Sequence, residues 1–122
     1  MCSNRVTYIP YERSIMKELK KKTYETWKSA KLKDENLVAE LAAIESDEDA
    51  INDRFYKELA FGTGGLRGVL GVGSNRMNIY TVGKASRGLA NYINSISKTP
   101  KIAISYDSRH NSELFAKWAA GI

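Results

Sequence analysis

The chain has 122 residues, 43% of them hydrophobic and 27% charged, which is globular rather than disordered composition. No apolar run approaches the ~18 residues of a membrane span, and the opening "MCSNRVTYIPYERSIM" has no continuous apolar core of the secretory kind. Cys2 stands alone, which excludes an internal disulfide, and a soluble cytoplasmic protein is expected.

The net charge of +5 is unevenly distributed. Residues 1–33 carry nine basic and three acidic side chains, residues 34–58 two basic and nine acidic, and residues 59–122 eight basic and two acidic. A basic field of this kind concentrates anionic partners without choosing among phosphosugars, nucleotides and nucleic acid.

In chain order, residues 12–30 predict a helix. Ile15, Met16, Leu19, Trp27 and Ala30 form its apolar side and Lys17, Lys20, Lys21 and Lys22 its wet side. A basic helix can face nucleic acid or a membrane, but a solvated surface is the simpler reading. Met16 can also serve as an alternative start, with residues 1–15 an extension. A second helix fits 35–45, with Leu37, Val38, Leu41 and Ile44 apolar. Ser46, followed by Asp49, predicts the cap of a third helix running to about Tyr56.

The stretch "LAFGTGGLRGVLGVGSNRMN" is too glycine-rich for a helix. Short extended pieces near 58–61 and 68–72, separated by a tight loop, are expected there. Asn78 predicts the cap of a helix over 79–97 with Ile79, Val82, Leu89, Ile93 and Ile96 in register; Ala85 and Ser86 allow a close neighbour. After Pro100, "KIAISY" (101–106) predicts a strand buried on both faces, as in parallel sheets. "DSRHNS" leaves its carboxyl end. Ser112 or Asn111 caps a last helix with Leu114, Phe115, Trp118, Ala119 and Ile122 on one side.

The predicted fold class is α/β. A helical lead-in, residues 1–57, precedes the α/β part, residues 58–122. A single strand and one hairpin-like segment do not complete a sheet, so a fragment or the beginning of a larger domain is expected.

Two clusters could carry chemistry. Glycines around Arg67 let backbone N–H groups and a planar guanidinium converge on an anion. The competing reading is a tight turn whose arginine makes a surface salt bridge, and composition does not choose between them. Named nucleotide fingerprints are excluded. G-x-G-x-x-G needs glycine where Arg67 or Arg76 stands, and the Walker pattern needs it where Asn78 stands. In "YDSRHNS", Asp107, Ser108 and His110 lie too close along one loop to converge as a triad. There Asp107 and Asn111 are expected to satisfy local N–H groups, with Arg109 either pairing Asp107 or facing a ligand. One His and one Cys offer no metal site. Seven tyrosines beside basic charge raise nucleic-acid stacking, but they are scattered, mostly at positions expected to be core.

Together, "ELAFGTGGLRG", "NRMNIYTVGKASRGLANYI" and "KIAISYDSRHNS" resemble the N-terminal domain of the α-D-phosphohexomutases, the phosphoglucomutase/phosphomannomutase branch that includes phosphopentomutase-like members. The resemblance covers about residues 50–122, and more loosely the lead-in from Met16. It implies that residues 58–122 are the first part of an incomplete three-layer α/β/α sandwich, with a mixed sheet and helices on both faces, behind the helical lead-in. That sandwich would open a four-domain enzyme that moves a phosphoryl group between the C1 and terminal hydroxyls of a sugar through a bisphosphate intermediate. A phosphoserine would relay the group, and Mg²⁺ on an Asp-rich loop of the second domain would balance its charge. Hexose 1,6-bisphosphate is the implied activator. Arg67 matches the arginine that reaches the phosphoserine region; Thr63, Gly64, Gly65 and Gly68 match the loop presenting it, and Arg109 matches more weakly. The T-A-S-H-N-P serine loop, the metal loop and the remaining domains are not found in these 122 residues. Ser108 does not inherit the serine's role, the nucleophile is expected beyond Ile122, and the chain alone is expected to be inactive. The implied partners are a phosphosugar and the remaining domains, with no membrane and nucleic acid disfavoured. The alternative is a non-catalytic anion- or nucleic-acid-binding α/β module.

Overall fold

A computed structural model describes residues 9–122, so Cys2 and Tyr8 lie outside the described residues. Five helices and one short hairpin follow in order: α1 (Ile9–Ser29), α2 (Glu35–Ala43), α3 (Glu48–Phe55), β1 (Phe61–Gly62), β2 (Gly65–Leu66), α4 (Ile79–Ile96) and α5 (Ser112–Ala120). β1 and β2 pair antiparallel, with Phe61 opposite Leu66 and Gly62 opposite Gly65. The arrangement is helix-rich α/β with a small two-stranded sheet, an incomplete α/β/α unit behind a helical start. Among the described residues, no helix is long and apolar enough to cross a membrane.

Local chemistry explains the helix starts. Asp34 accepts from the amides of Asn36 and Leu37 at 3.0 and 3.3 Å and begins α2. Asp47, rather than the expected Ser46, caps α3 through the amide of Ala50 at 2.9 Å. Either short polar side chain can cap, and a carboxylate also complements the partial positive charge of a helix N-terminus. Asn78 caps α4 as expected, in a reciprocal capping box with Thr81. Asn111 precedes α5 but sits in the left-handed region (φ 62°) and makes no side-chain cap bond.

Tyr24, Leu37, Leu41, Ile44, Phe55, Val72 and Ile79 form one buried cluster, which joins the lead-in to the glycine-rich segment. An aromatic chain runs through it edge to face. Tyr24 and Trp27 both meet Phe55, Trp27 meets Tyr80 at 5.6 Å, and Tyr80 meets Trp118 at 6.4 Å. Such pairs each contribute about 0.5–1.5 kcal/mol beyond the area they bury. α5 docks closely on α4 at Gly83, where an added Cβ would lie 2.9 Å from Trp118 Nε1. The close approach therefore falls at Gly83 rather than at the expected Ala85 and Ser86.

The uneven charge is largely consumed inside the molecule. Acidic residues of 34–58 pair with both basic flanks: Glu48 with Lys17, Glu45 with Lys28, Asp53 with Arg76, and Glu58 with Lys84. The pairs formed by exposed lysines are screened by solvent and contribute little to stability.

Several sequence expectations are corrected. Residues 101–106 form no strand, and Ile102, Ile104 and Tyr106 are exposed. An isolated extended segment has no ladder to join, and among the described residues no strand lies beside it. The extended pieces near 58–61 and 68–72 reduce to β1, β2 and a lone bridge between Leu70 and Met77. On α1, Ile15, Met16 and Leu19 are exposed and burial falls on Tyr24 and Trp27. Leu89 and Ile96 leave the distal stripe of α4 uncovered. Tyr56, Tyr92 and Tyr106 are exposed rather than core, Tyr24 is buried and Tyr80 is half-buried.

Candidate functional site

The hairpin reverses the chain through Thr63 and Gly64, which form the turn between β1 and β2. Gly65 takes φ +107°, a left-handed value that penalises residues with a side chain, and an added Cβ would meet nothing within 4 Å. Backbone conformation is therefore the reason for glycine at this position. At Gly64 an added Cβ would lie 2.9 Å from Arg67 Nη2 and 3.5 Å from its Cζ, a contact that the exposed arginine side chain can relieve by shifting. The Arg67 guanidinium lies directly against the turn. At Gly68 an added Cβ would lie 2.8 Å from Leu59 Cδ1, so Gly68 lets the outgoing strand close on the incoming one.

Arg67, Thr63, Gly64, Gly65 and Gly68 thus form one continuous feature at the hairpin. Thr63, Gly64, Arg67 and Gly68 are exposed and Gly65 is half-buried. Arg54, Arg76 and Arg109 each pair with a carboxylate. Among the described residues, no carboxylate lies within ion-pair distance of Arg67, and the amides of Gly64 and Gly68 donate to no protein acceptor. Among the described residues, the turn is present and its arginine makes no salt bridge. A planar cation beside unengaged amides can accept an oxyanion bidentately and at no loss of an existing pair.

Arg109 is placed differently. Its Nε donates to Asp107 Oδ2 at 2.7 Å and its amide to Asp107 Oδ1 at 3.0 Å, closing a tight turn before α5. The backbone bond from Arg109 is the main cause that holds the Asp107 carboxyl below its ordinary value, with Ser112 and the Arg109 side chain adding to it. Arg109 is thereby committed to the local turn, and it makes no hydrogen bond or ion pair with the hairpin. The Ser112 hydroxyl accepts from the Asp107 amide at 3.2 Å, so the cluster is self-satisfied. Among the described residues, no three His, Cys, Asp or Glu side chains converge on a point that could hold a metal.

A separate apolar groove of about 830 Å³ runs between α1, the hairpin and α4. Leu19, Phe61, Leu66, Leu89 and Tyr92 line it, and Arg67 does not. The groove and the guanidinium are neighbours on the hairpin but distinct in chemistry.

Residues bearing on the site were also missed in the sequence. Glu40 and Arg54 grip the loop that follows the hairpin, with Val72 N donating to Glu40 Oε2 at 2.8 Å. Only their opposite charges on neighbouring predicted helices could have hinted at this.

Residues 58–122 match the family model described as phosphoglucomutase/phosphomannomutase, alpha/beta/alpha domain I. The phosphoglucomutase of Staphylococcus haemolyticus (strain JCSC1435) is 42% identical over 87 residues, which is 70% of this chain and 16% of that protein. The phosphoglucomutase of Staphylococcus aureus (strain bovine RF122 / ET3-1) is 44% identical over 70 residues, 57% of this chain and 13% of that protein. The chain therefore spans a sixth or less of the length of these curated relatives. No solved structure matches it.

Proposed function

Because the chain belongs to the phosphoglucomutase/phosphomannomutase family through its α/β/α domain I, we propose that it is the phosphate-facing N-terminal part of a phosphosugar mutase. The parent activity is intramolecular phosphotransfer between the 1- and 6-positions of a hexose phosphate, glucose or mannose, by way of a phosphoserine and a bisphosphate. Residues 1–57 are the lead-in to that domain and residues 58–122 its first part. The setting is cytoplasmic, and the remaining domains of the parent are the physical partners.

The observation that carries this reading is the Arg67 guanidinium, exposed, laid against Gly64 and without a carboxylate partner among the described residues. In phosphoryl transfer the protein mostly positions and neutralises, so a preformed cation at a glycine turn suits the chemistry. Thr63, Gly64, Gly65 and Gly68 shape the turn, while Arg109 closes its own loop and at most adds to the field. Mg²⁺ supplies charge neutralisation in the parent enzyme. The described residues offer it no ligand set.

The chain alone is proposed to bind phosphate without turning a substrate over. Assayed with glucose 1-phosphate and the hexose bisphosphate, it gives no product above background. It binds glucose 1-phosphate weakly, with Kd on the order of 1 mM, and Arg67→Ala abolishes the binding. Turnover, or binding indifferent to Arg67→Ala, would contradict the proposal.

A further inference from the structure

The glycine-rich segment does not end at the hairpin. From Val69 to Asn78 the chain makes a second loop, in which Met77 N donates to Val69 O at 2.8 Å and Gly71 N to Met77 O at 3.2 Å. The loop is tied to the entrance of the hairpin by Leu59 N, which donates to Ser74 O at 2.8 Å. At its centre Val72 is completely buried.

Two side chains from the lead-in grip that centre. Val72 N donates to Glu40 Oε2 at 2.8 Å, and Arg54 Nη1 donates both to Glu40 Oε1 at 2.5 Å and to Val72 O at 3.2 Å. The pair therefore satisfies both backbone groups of one buried residue. Backbone groups of α3 extend the grip, as Arg54 O accepts from Asn75 N at 2.9 Å and Asp53 O from Asn75 Nδ2 at 3.2 Å. The loop is shaped to admit these partners. Gly71 and Gly73 adopt φ +138° and +131°; an added Cβ would lie 2.8 Å from Glu40 Oε1 at the first and 2.6 Å from Arg54 O at the second. The side chains of Arg54 and Glu40 are 20% and 32% exposed, so the pair is partly desolvated, unlike the lysine pairs on the surface.

We propose that Glu40 and Arg54 are positioning residues: they lock the 71–78 loop onto α2 and α3 and thereby fix the frame on which the Arg67 hairpin stands. Both precede residue 58, so these two contributors to hairpin geometry lie outside the stretch that the family model matches. The consequence for phosphate rests on the reading of Arg67 given above, whereas the consequence for hairpin geometry does not.

The test uses the full chain, isotopically labelled, with inorganic phosphate as the probe. Three readouts are taken: amide exchange at Val72, the resonances of Phe61–Arg67 without ligand, and the phosphate-induced shifts of Gly64 and Gly65. Glu40→Ala speeds exchange at Val72 and weakens phosphate binding, each about tenfold, because a charge-assisted bond to a buried amide is lost. It also displaces the hairpin resonances before phosphate is added. Glu40→Gln keeps an acceptor for Val72 N and changes all three less; Arg54→Lys loses the bridge to Val72 O and resembles Glu40→Ala. These two variants decide the matter if Glu40→Ala does not fold. Glu48→Gln, which breaks an exposed pair with Lys17, moves none of the three.

Unchanged hairpin resonances in both Glu40→Gln and Arg54→Lys would overturn the positioning role, even with faster exchange at Val72. A wild-type chain that ignores phosphate would refute the Arg67 reading, and the ligand-free hairpin resonances would still decide the role of Glu40 and Arg54.

Discussion

Asn78 concentrates more bonds than any other side chain at the site, and its replacement separates two functions. Only 3% exposed, it uses its Oδ1 to accept from the amides of Tyr80 and Thr81, both at 3.0 Å, as the cap of α4. Its Nδ2 donates to Gly71 O at 2.9 Å, Gly73 O at 3.0 Å and Arg76 O at 3.4 Å, stitching the 71–78 loop to the helix start. Asn78→Ala removes the cap, a loss of about 1 kcal/mol. Gly73 O keeps the amide of Arg76 and Arg76 O keeps the Thr81 hydroxyl, but Gly71 O retains no donor among the described residues. Stranding that half-buried carbonyl costs about 1–3 kcal/mol. The expected loss is thus about 2–4 kcal/mol, a large share of the roughly 5–15 kcal/mol typical of a whole domain. Asn78→Asp keeps the cap acceptor but turns an oxygen toward Gly71 O, so it loses the loop term alone, about 1–3 kcal/mol. Urea unfolding followed by far-UV circular dichroism measures both, read as a shifted midpoint at constant slope. A loss below about 1 kcal/mol for Asn78→Ala, or an Asn78→Asp variant as stable as the parent, would refute this division of labour.

Two further outcomes follow from the exposed C-terminal third. Asp107 has its folded pKa depressed, chiefly by the Arg109 amide, so its contribution to the turn is present above the unfolded carboxylate range and lost as pH falls through the folded value. The Arg109 amide resonance therefore holds its position down to about pH 4 and moves below it, whereas Asp107→Asn removes the transition. Residues 101–106 carry exposed Ile102 and Ile104 and no backbone pairing among the described residues, so their amides are expected to exchange at nearly unprotected rates and the segment to act as a template for association. Ile104→Lys accordingly lowers light scattering on concentration without shifting the unfolding midpoint; a lowered midpoint would show that Ile104 is a packed residue after all.

Features governed by neighbours in sequence were legible. The Asn78 cap, the extents of α2 and α4 and the glycine turn all depend on residues a few positions apart. Even the Asp47 cap differs by one position from the expected Ser46, because either side chain can satisfy the first amides of α3. Features that need distant partners were not legible. The pattern of 101–106 reports strand propensity, but a strand exists only where another edge meets it. The apolar stripe of α1 likewise predicts burial for Met16 and Leu19, yet both are exposed, while Tyr24 is buried and Trp27 half-buried. At the candidate site, the sequence motif located Arg67 and its glycines. It could not show that Arg109 pairs with Asp107 whereas Arg67 has no carboxylate partner among the described residues. The grip of Glu40 on Val72 spans 32 positions and joins an acidic helix to an apolar loop, a pairing that no local pattern encodes.

The central claim is that the Arg67 turn receives the phosphate of a phosphosugar. Its most direct test is a parallel titration of the labelled chain with glucose 1-phosphate and with duplex DNA, at low and at high salt. Glucose 1-phosphate is expected to shift the Gly64, Gly65 and Gly68 amides, Arg67→Ala to erase the shifts, and DNA to leave these amides unmoved. Shifts produced by DNA and falling steeply with salt, as counterion release requires, would contradict it.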